Sequence, residues 1–337
     1  MKEDYTAIIP AFNAEKTILG LVFSLNKLKR PPLEIIVVDD ASTDRTNDLL
    51  KNIEEVKLLK LKKNAGPGYA RNKGAKEAKT KWLLFIDSDC RLPSNVIDFA
   101  FPNIEEKRLN IVGIMGVFDI KEENNNLITG YKNMQRYFEI NSMKNPPELL
   151  SSSCFTIQKN VFFECGGFNE KFGKTPTEDN EFYFRLLKKN FFIKYNTSFC
   201  FLHNKKMSLK TLIYDDFKRS KAIIYNLFGE LGEKRNKLSR NEILKWMIEL
   251  TTGNIISIIL ISLPVLYLIF PLIHLKILLL TFILLCLIMT LINYKFFKYS
   301  LNKGGIKMLI NHFLLRILEM VIATTGILVS FGELLLL

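Results

Sequence analysis

Cysteine is scarce in this 337-residue sequence, and its spacing is that of neither a disulfide framework nor a zinc site. The five cysteines are an odd number, and none stands in a C-x-x-C pair. Such usage is typical of the reducing cytosol, where disulfides are rare. The five residues are Cys90, Cys154, Cys165, Cys200 and Cys286.

The sequence also lacks an apolar leader and an excess of acidic residues. Met1-Lys2-Glu3-Asp4 runs directly into a strand-like segment, so we expect no signal peptide. Asp and Glu total 34 against 47 Lys and Arg, which gives a formal net charge of +13. This charge fits nucleic acid, an anionic membrane or phosphorylated substrates. Because most surplus apolar residues follow Gly253, we expect an anionic membrane as the partner and no nucleic acid.

Short apolar runs alternate with helix-like segments through the first 200 residues. Their branched and aromatic residues are typical of strands buried on both faces. Strict alternation predicts β-α-β units, and so an α/β domain with a mainly parallel sheet flanked by helices. The predicted strands are residues 6–10, 34–39, 56–61, 82–87, 111–118, 154–157 and 192–202, and further helices are predicted at 93–107, 127–141 and 159–164. Asn13 is the expected N-cap of the first helix.

Acidic residues follow two of the predicted strands directly. The second strand ends in Asp39-Asp40, and the fourth is followed by Asp87-Ser88-Asp89. Burying carboxylates is costly unless a cation meets them, and ligands of open α/β sheets bind at the carboxyl ends of the strands. Divalent cations prefer carboxylate oxygens and bridge them to phosphates. Asp87 and Asp89 therefore indicate a metal–diphosphate site, although an Asp/Ser turn is the competing interpretation of these two residues taken alone.

Several weak motifs occur in a fixed order, and together they are specific. They are Pro10-Ala11-Phe12-Asn13, Val38-Asp39-Asp40-Ala41-Ser42, Asn64-Ala65-Gly66 with Ala70-Arg71-Asn72, Asp87-Ser88-Asp89, Gly166-Gly167-Phe168 and Glu178-Asp179. Over about residues 5–205 this sequence resembles the family 2 glycosyltransferases of the GT-A fold. The resemblance implies inverting transfer of a sugar from a nucleotide-diphosphate sugar to a hydroxyl acceptor. The implied donor is a UDP-sugar first, or a GDP- or dTDP-sugar, and the implied acceptor is a glycan or lipid-linked molecule.

The resemblance also implies which residues bind the donor. Pro10 and Asn13 would line the nucleotide pocket, and Asp39 would hydrogen-bond the base. Asp40 would support the turn beside it, and Arg71 would contact the diphosphate or the sugar. Without the resemblance, Asp39 and Asp40 could simply cap the next helix. Ala41 stands where glycine is usual, which bears on the geometry of that turn.

The same resemblance assigns the metal site and the catalytic acid–base group. Asp87 would face the ribose and the metal, and Asp89 would bind Mg²⁺ or Mn²⁺, with His203 completing the site. Asp179 would be the general base on the acceptor hydroxyl, with Glu178 beside it. Glu178 also fits a capping box with Thr175, in which it would serve the helix alone. A lone histidine at a strand end, such as His203, is also commonly structural.

The last 130 residues differ in character. Residues 206–250 alternate basic with apolar and aromatic residues, which is typical of a helix lying in a lipid headgroup layer or of a solvated helix face. Apolar runs at 254–275, 277–297 and 313–337 predict two or three transmembrane helices. Lysines crowd the second connection, so the catalytic domain should lie on the cytoplasmic side of the cell membrane. Arg316 and Glu319, one helical step apart, should pair. The predicted domains are 1–205, 206–250 and 251–337.

Four alternative functions are weighed against this prediction. A polyprenyl-phosphate sugar synthase would share the family, but its D-x-D-x-Q motif does not match because Arg91 replaces the glutamine. A sugar-nucleotide pyrophosphorylase would have a Gly-rich, Arg-bearing loop where Pro10–Asn13 stands, and it would leave the apolar tail unexplained. A processive polysaccharide synthase would carry Q-x-x-R-W after Glu178-Asp179. A non-enzymatic binding protein has only the basic charge in its favour.

Overall fold

The computed structural model describes residues 3–120, 126–142, 145–147, 149–170, 178–228 and 275–335. The chain divides into two compact units, Met1–Met207 and Ser208–Leu337. The first is an α/β unit built on one sheet, and the second is helical in its described residues.

The first unit has an eight-stranded sheet in the order β3-β2-β1-β4-β7-β6-β8-β5. Strands β1 to β4 pair in parallel, and β6 pairs in parallel with β8. β7 is antiparallel to both of its neighbours, and β5 is antiparallel to β8. The prediction of a mixed, mainly parallel sheet is therefore confirmed. The strands are β1 Tyr5–Ala11, β2 Glu34–Asp39, β3 Val56–Lys60, β4 Trp82–Ile86, β5 Cys90–Arg91, β6 Ile111–Phe118, β7 Cys154–Gln158 and β8 Phe192–His203.

The core centres on β4, in which every residue is buried. This burial on both faces explains its unbroken apolar sequence. Phe85 lies at the middle of an aromatic cluster, with ring centroids 5.1 Å from Phe155 and Phe162 and 5.6 Å from Phe168. Burial of these rings fixes the sheet against the helices of one face.

The described residues of the first unit form seven α-helices. The helix predicted at residues 93–107 is wrong in part. Residues 93–107 do not form one helix: a 3₁₀ helix at Val96–Phe99 precedes a separate short helix. Pro102 disfavours a helical conformation of the residue before it, and Asn103 forms a capping box with Glu106 that starts the second helix. The helices are α1 Ile18–Asn26, α2 Thr46–Leu50, α3 Pro67–Glu77, α4 Ile104–Arg108, α5 Leu127–Ser142, α6 Lys159–Glu164 and α7 Glu178–Lys188.

Helix α3 lies very close to the parallel half of the sheet. A Cβ on Gly74 would stand 2.5 Å from Ile8 Cγ2 and 3.2 Å from Val38 Cγ2. Only glycine allows this approach without displacing β1 or β2. The position of α3 fixes the functional side chain that it carries, Arg71.

The second unit contains the helices α8 Leu209–Phe228, α9 Leu275–Ile292 and α10 Tyr294–Leu335. Non-helical backbone at Gly304 and Gly305 kinks α10, and Gly305 has a φ of 65°. Arg316 pairs with Glu319 at 3.2 Å, as predicted.

The predicted transmembrane helices are not confirmed. Within the described ranges, no helix combines the length and the apolar character that crossing a membrane requires. The predicted span at 254–275 and the predicted basic segment from residue 229 to 250 lie outside the described residues.

Candidate functional site

The ends of several strands meet at one edge of the sheet. β1, β2, β4 and β8 all run toward this edge, and β7 starts from it because its direction is opposite. Ligand sites of α/β sheets lie at such carboxyl ends. The predicted site residues of the strand ends are therefore brought together, although they lie far apart in the sequence.

Asn13 joins the loops that follow β1 and β2. Its Oδ1 accepts hydrogen bonds from the backbone N–H of Thr43 at 2.8 Å and from the Thr43 hydroxyl at 3.3 Å. The backbone N–H of Asn13 donates to Ser42 Oγ at 2.9 Å. Asn13 is therefore not the N-cap of α1, which begins at Ile18 with Thr17 as its N-cap. Its left-handed φ of 52°, tolerated by asparagine, turns it away from the helix.

The two acids after β2 have different surroundings. Asp39 is buried and accepts hydrogen bonds from the Ser42 N–H at 3.2 Å and from Asn47 Nδ2. Asp40 accepts two bonds from the backbone N–H groups of the loop before α3, those of Ala65 at 2.7 Å and Gly66 at 2.8 Å. The role predicted for Asp39 on a nucleotide base stays a prediction, while the geometry gives Asp40 the task of anchoring a loop.

Ala41, the residue that replaces the usual glycine, has a φ of 61°. This left-handed conformation is cheap for glycine and costs an alanine about 1 kcal/mol or more. The turn after β2 is thus the one that glycine would favour, and the chain accepts the cost there.

Arg71 is the buried centre of the site. It is 3% exposed and donates from Nη2 to Asp87 Oδ1 at 2.7 Å and from Nη1 to Glu178 Oε1 at 3.0 Å. Its Nε is buried with no hydrogen-bond partner among the described residues. The guanidinium lies 5.5 Å from the centroid of the Phe168 ring. Arg71 thus joins α3, the carboxyl end of β4 and the first turn of α7.

Glu178 is held by this ion pair. Its side chain is nearly buried, and burial together with the neighbouring Asp179 raises its pKa, against the opposing effect of Arg71. Thr175, the partner of Glu178 in the competing capping box, lies outside the described residues. The described geometry gives Glu178 a structural contact with Arg71.

Asp89 and His203 face each other across two strands. β5 pairs antiparallel with the end of β8, so Cys90 lies opposite His203. This pairing places Asp89 Oδ1 3.5 Å from His203 Nε2. Burial raises the pKa of Asp89, although Lys205 and Arg136 act in the opposite direction. A buried carboxylate beside an imidazole is a pair of ligands that a divalent cation accepts.

The described residues contain no group of three or more His, Cys, Asp or Glu side chains close enough to hold a metal by themselves. Asp87, the third predicted ligand, is paired with Arg71. Among the described residues, Asp89 and His203 are the predicted ligands that lie near each other, and their role on a metal stays a prediction. Mg²⁺ sites are commonly built this way, with one or two carboxylates and the oxygens of substrate phosphates.

Asp179 follows Glu178 in the first turn of α7. Its Oδ2 accepts hydrogen bonds from the backbone N–H and the hydroxyl of Ser152, each at 3.2 Å, and its Oδ1 accepts one from the Asn180 N–H at 2.9 Å. Burial raises the pKa of Asp179, and the bonds from Ser152 and the charge of Arg71 oppose this effect. These bonds hold the Asp179 carboxylate in one orientation, and its role as a general base stays a prediction.

Sequence reasoning missed Ser152. The only local signal is that Ser151-Ser152-Ser153 directly precedes a buried strand, where polar residues are ordinary. Its contact with Asp179 depends on β7 being antiparallel to β4, which puts its amino end beside α7.

We expect Arg71→Met to lower the free energy of unfolding by about 3–5 kcal/mol, because it leaves Glu178 buried without its cation. The double variant Arg71→Met with Glu178→Gln should lower the free energy of unfolding by less than the sum of the two single changes, because the glutamine removes the buried charge that Arg71→Met leaves unpaired. Asp87, the other partner of Arg71, is partly exposed to water and can stay charged. Urea unfolding of the three variants measures the difference. Lys57→Met is the matched control, because it breaks an exposed pair with Glu77 and should leave the free energy of unfolding nearly unchanged. Additive single-variant costs would contradict the coupling.

Comparison with known proteins identifies this unit. A family model described as glycosyl transferase family 2 matches residues 6–167. A protein of Haemophilus influenzae named as an uncharacterized glycosyltransferase is 25% identical over 228 residues, which cover 65% of this chain and 74% of that protein. The poly(ribitol-phosphate) β-N-acetylglucosaminyltransferase TarS of Staphylococcus aureus is 34% identical over 114 residues, or 32% of this chain. That match spans only 20% of TarS.

A solved structure shares the fold. The mannosyltransferase PcManGT from Pyrobaculum calidifontis, in complex with GDP-Man and Mn²⁺, superposes with a TM-score of 0.58 at 13% identity, covering 97% of this chain and 88% of that chain. Identity this low establishes the fold alone. Residues 6–167 thus match the family 2 glycosyltransferases, the fold of the first unit is GT-A-like, and the relatives support glycosyltransferase as the enzyme class.

Proposed function

We propose that this protein is an inverting, metal-dependent glycosyltransferase that moves a sugar from a nucleotide-diphosphate sugar to a hydroxyl acceptor on a glycan or lipid-linked molecule. The observation that carries the proposal is the convergence of Asp87, Asp89, Asp179 and Arg71 at one edge of the sheet. The likeness to TarS, named as a poly(ribitol-phosphate) β-N-acetylglucosaminyltransferase, supports a role in cell-surface glycan synthesis. A UDP-sugar is the first donor to test, with GDP- and dTDP-sugars next.

Asp89 and His203 would hold Mg²⁺ or Mn²⁺, because they offer a carboxylate and an imidazole 3.5 Å apart. The cation would offset the negative charge that develops on the departing diphosphate. The Asp89 side chain is partly exposed, so a cation and a substrate phosphate could reach it, and a cation would add to the positive charge of Lys205 and Arg136.

Asp179 would act as the general base. As the acceptor oxygen bonds to the anomeric carbon, the bond from that carbon to the β-phosphate oxygen breaks, and the acceptor proton passes to Asp179. Attack on the side opposite the leaving group inverts the anomeric centre, so no carboxylate nucleophile is needed. The positive end of the α7 macrodipole favours the ionised form of a first-turn acid. Glu178 would keep Arg71 in place rather than take part in the chemistry.

Asp89→Asn should abolish the Mn²⁺-dependent part of nucleotide binding while leaving the fold intact, because the amide weakens the metal site without a change of shape. The measurement is a thermal-shift panel of UDP-, GDP- and dTDP-sugars with and without Mn²⁺. Wild-type protein that no member of the panel stabilises would argue against the proposed function. Undiminished Mn²⁺-stimulated binding in the variant would remove Asp89 from the metal site.

Asp179→Asn should lower turnover by about 10²-fold or more and leave donor affinity nearly unchanged, because it keeps the shape of the side chain and removes its basicity. Nucleotide release with the donor that the panel identifies gives kcat, and titration of the same donor gives its affinity. If the variant loses donor affinity with turnover intact, Asp179 belongs to the donor pocket. The base would then be sought elsewhere, with Glu178 tested first.

We also propose that the second unit anchors the enzyme in the cell membrane as a multi-pass segment, with the catalytic unit on the cytoplasmic side. Support comes from exposed apolar side chains at helical spacing along α9 and from exposed lysines near the start of α10. Such a combination suits a bilayer with anionic headgroups. The apolar residues are Leu280, Ile283, Leu284, Leu287 and Leu291, and the lysines are Lys295, Lys298, Lys303 and Lys307.

Carbonate extraction tests this anchor. The full chain should stay in the membrane pellet, because an integral segment resists alkaline washing, whereas a chain ending at Met207 should be largely released. Complete release of the full chain would refute the anchor, and equal retention of the truncated chain would place the membrane contact in the first unit.

A further inference from the structure

The four residues before β7 connect the two halves of the site. The Leu150 N–H donates to Asn180 Oδ1 at 3.1 Å, which ties the segment to α7. At its other end the Ser153 carbonyl accepts a bond from the Asp87 N–H at 2.9 Å, which ties it to the carboxyl end of β4. Between these two contacts Ser152 meets Asp179.

We propose that Ser152 is a positioning residue for the base Asp179, fixing the direction of its carboxylate and favouring its ionised form. The proposal rests on the proposed function of Asp179 as a base. Ser152 is 6% exposed, and both its hydroxyl and its N–H donate to the same oxygen, Oδ2. A carboxylate has about four acceptor sites, so Oδ1, which accepts the Asn180 N–H, keeps a lone pair for the acceptor proton.

Among the described residues, the charged groups that act on Asp179 are Arg71 and Glu178, and these two are paired with each other. Arg71, on α3, attracts the ionised form, and Glu178, on the same helix as Asp179, repels it when ionised. Asp87 lies beyond Arg71 and is paired with it. The Ser152 hydroxyl is therefore the contact of Asp179 that can be deleted without adding or removing a charge.

Ser152→Ala deletes only one of the two bonds, because the backbone N–H remains. A bond to an ionised group favours ionisation, so its loss raises the pKa of Asp179 further. A base is active only when it is ionised, so the acidic limb of the kcat–pH profile should move to higher pH. We expect a shift of about one pH unit, the usual size for one hydrogen bond to a charged group. Turnover should fall most on the acidic side of the profile, and the donor KM should stay unchanged.

Ser151→Ala is the matched control. Ser151 belongs to the same segment, and within the described part of the chain its hydrogen bond is from its backbone N–H to Met115 Sδ rather than from its hydroxyl to α7. Its profile should match the wild-type profile. Ser152→Thr restores a hydroxyl at the same atom position and should bring the limb back toward the wild-type pH.

The assay follows UDP release from UDP-N-acetylglucosamine with Mn²⁺, with water as the acceptor, for wild type, Ser152→Ala, Ser152→Thr, Ser151→Ala and Asp179→Asn. An upward shift of the limb in Ser152→Ala alone, with unchanged KM and unfolding temperature, is the expected result. An unshifted limb, or the same shift in Ser151→Ala, would overturn the proposal. Should Ser152→Thr fail to fold, the comparison of the two alanine variants still decides.

The Asp179→Asn arm separates this proposal from the function beneath it. If Asp179→Asn loses turnover but the Ser152→Ala limb does not move, only the role of Ser152 fails. If Asp179→Asn keeps wild-type turnover, or the wild type releases no UDP, the proposed base or donor is wrong, and the positioning role falls with it.

Discussion

The buried guanidinium of Arg71, held between Asp87 and Glu178, is the interaction on which the rest of the site depends. A charge that is 3% exposed is tolerated only when it is paired and hydrogen-bonded. Here the two partners come from different elements, one after β4 and one at the start of α7. These ion pairs therefore tie the end of β4, which would hold the donor, to the helix that carries the proposed base Asp179.

Several features that look unrelated in sequence serve to place this arginine. Asp40 holds the loop before α3 by two backbone N–H groups, and Gly74 lets α3 lie against β1 and β2. The aromatic cluster around Phe85 supports the other side, and Phe168 from that cluster also lies against the guanidinium. Apolar packing and ion pairing thus both hold the guanidinium of Arg71 in place. A buried ion pair needs such fixed geometry, because its attraction must offset the cost of removing both charges from water.

The two carboxylates of α7 illustrate how neighbours in sequence can differ in chemistry. Glu178 points to a permanent cation, whereas Asp179 points to the N–H and hydroxyl of Ser152. One is suited to hold an arginine, and the other is suited to accept a proton, since its hydrogen bonds are to neutral donors. The proposed mechanism needs one base and one well-placed cationic group. The first turn of α7 carries Asp179 as the proposed base and Glu178 as a partner of the cation Arg71.

The sequence by itself determined the α/β class, the positions of seven of the eight strands and the acids that end β2 and β4, because a buried strand leaves an apolar run in the chain. It missed β5, whose two residues are too short for such a run. It also predicted the pairing of Arg316 with Glu319, which lie one helical step apart. Only the tertiary structure decided that Arg71 pairs with Glu178, 107 residues away, and that Ser152 holds Asp179. The family resemblance had already implied that Asp89 and His203 lie together, and the structure gives the 3.5 Å between them. The separation of residues 93–107 into two short helices was likewise decided by the capping box of Asn103. Asn13 joins two loops instead of capping α1, and this was decided by its contact with Thr43. The physical reason is that hydrophobic periodicity encodes only which face of each segment is buried. The contacts between distant residues depend on the order and direction of strands β4, β7, β6 and β8, which no local pattern specifies.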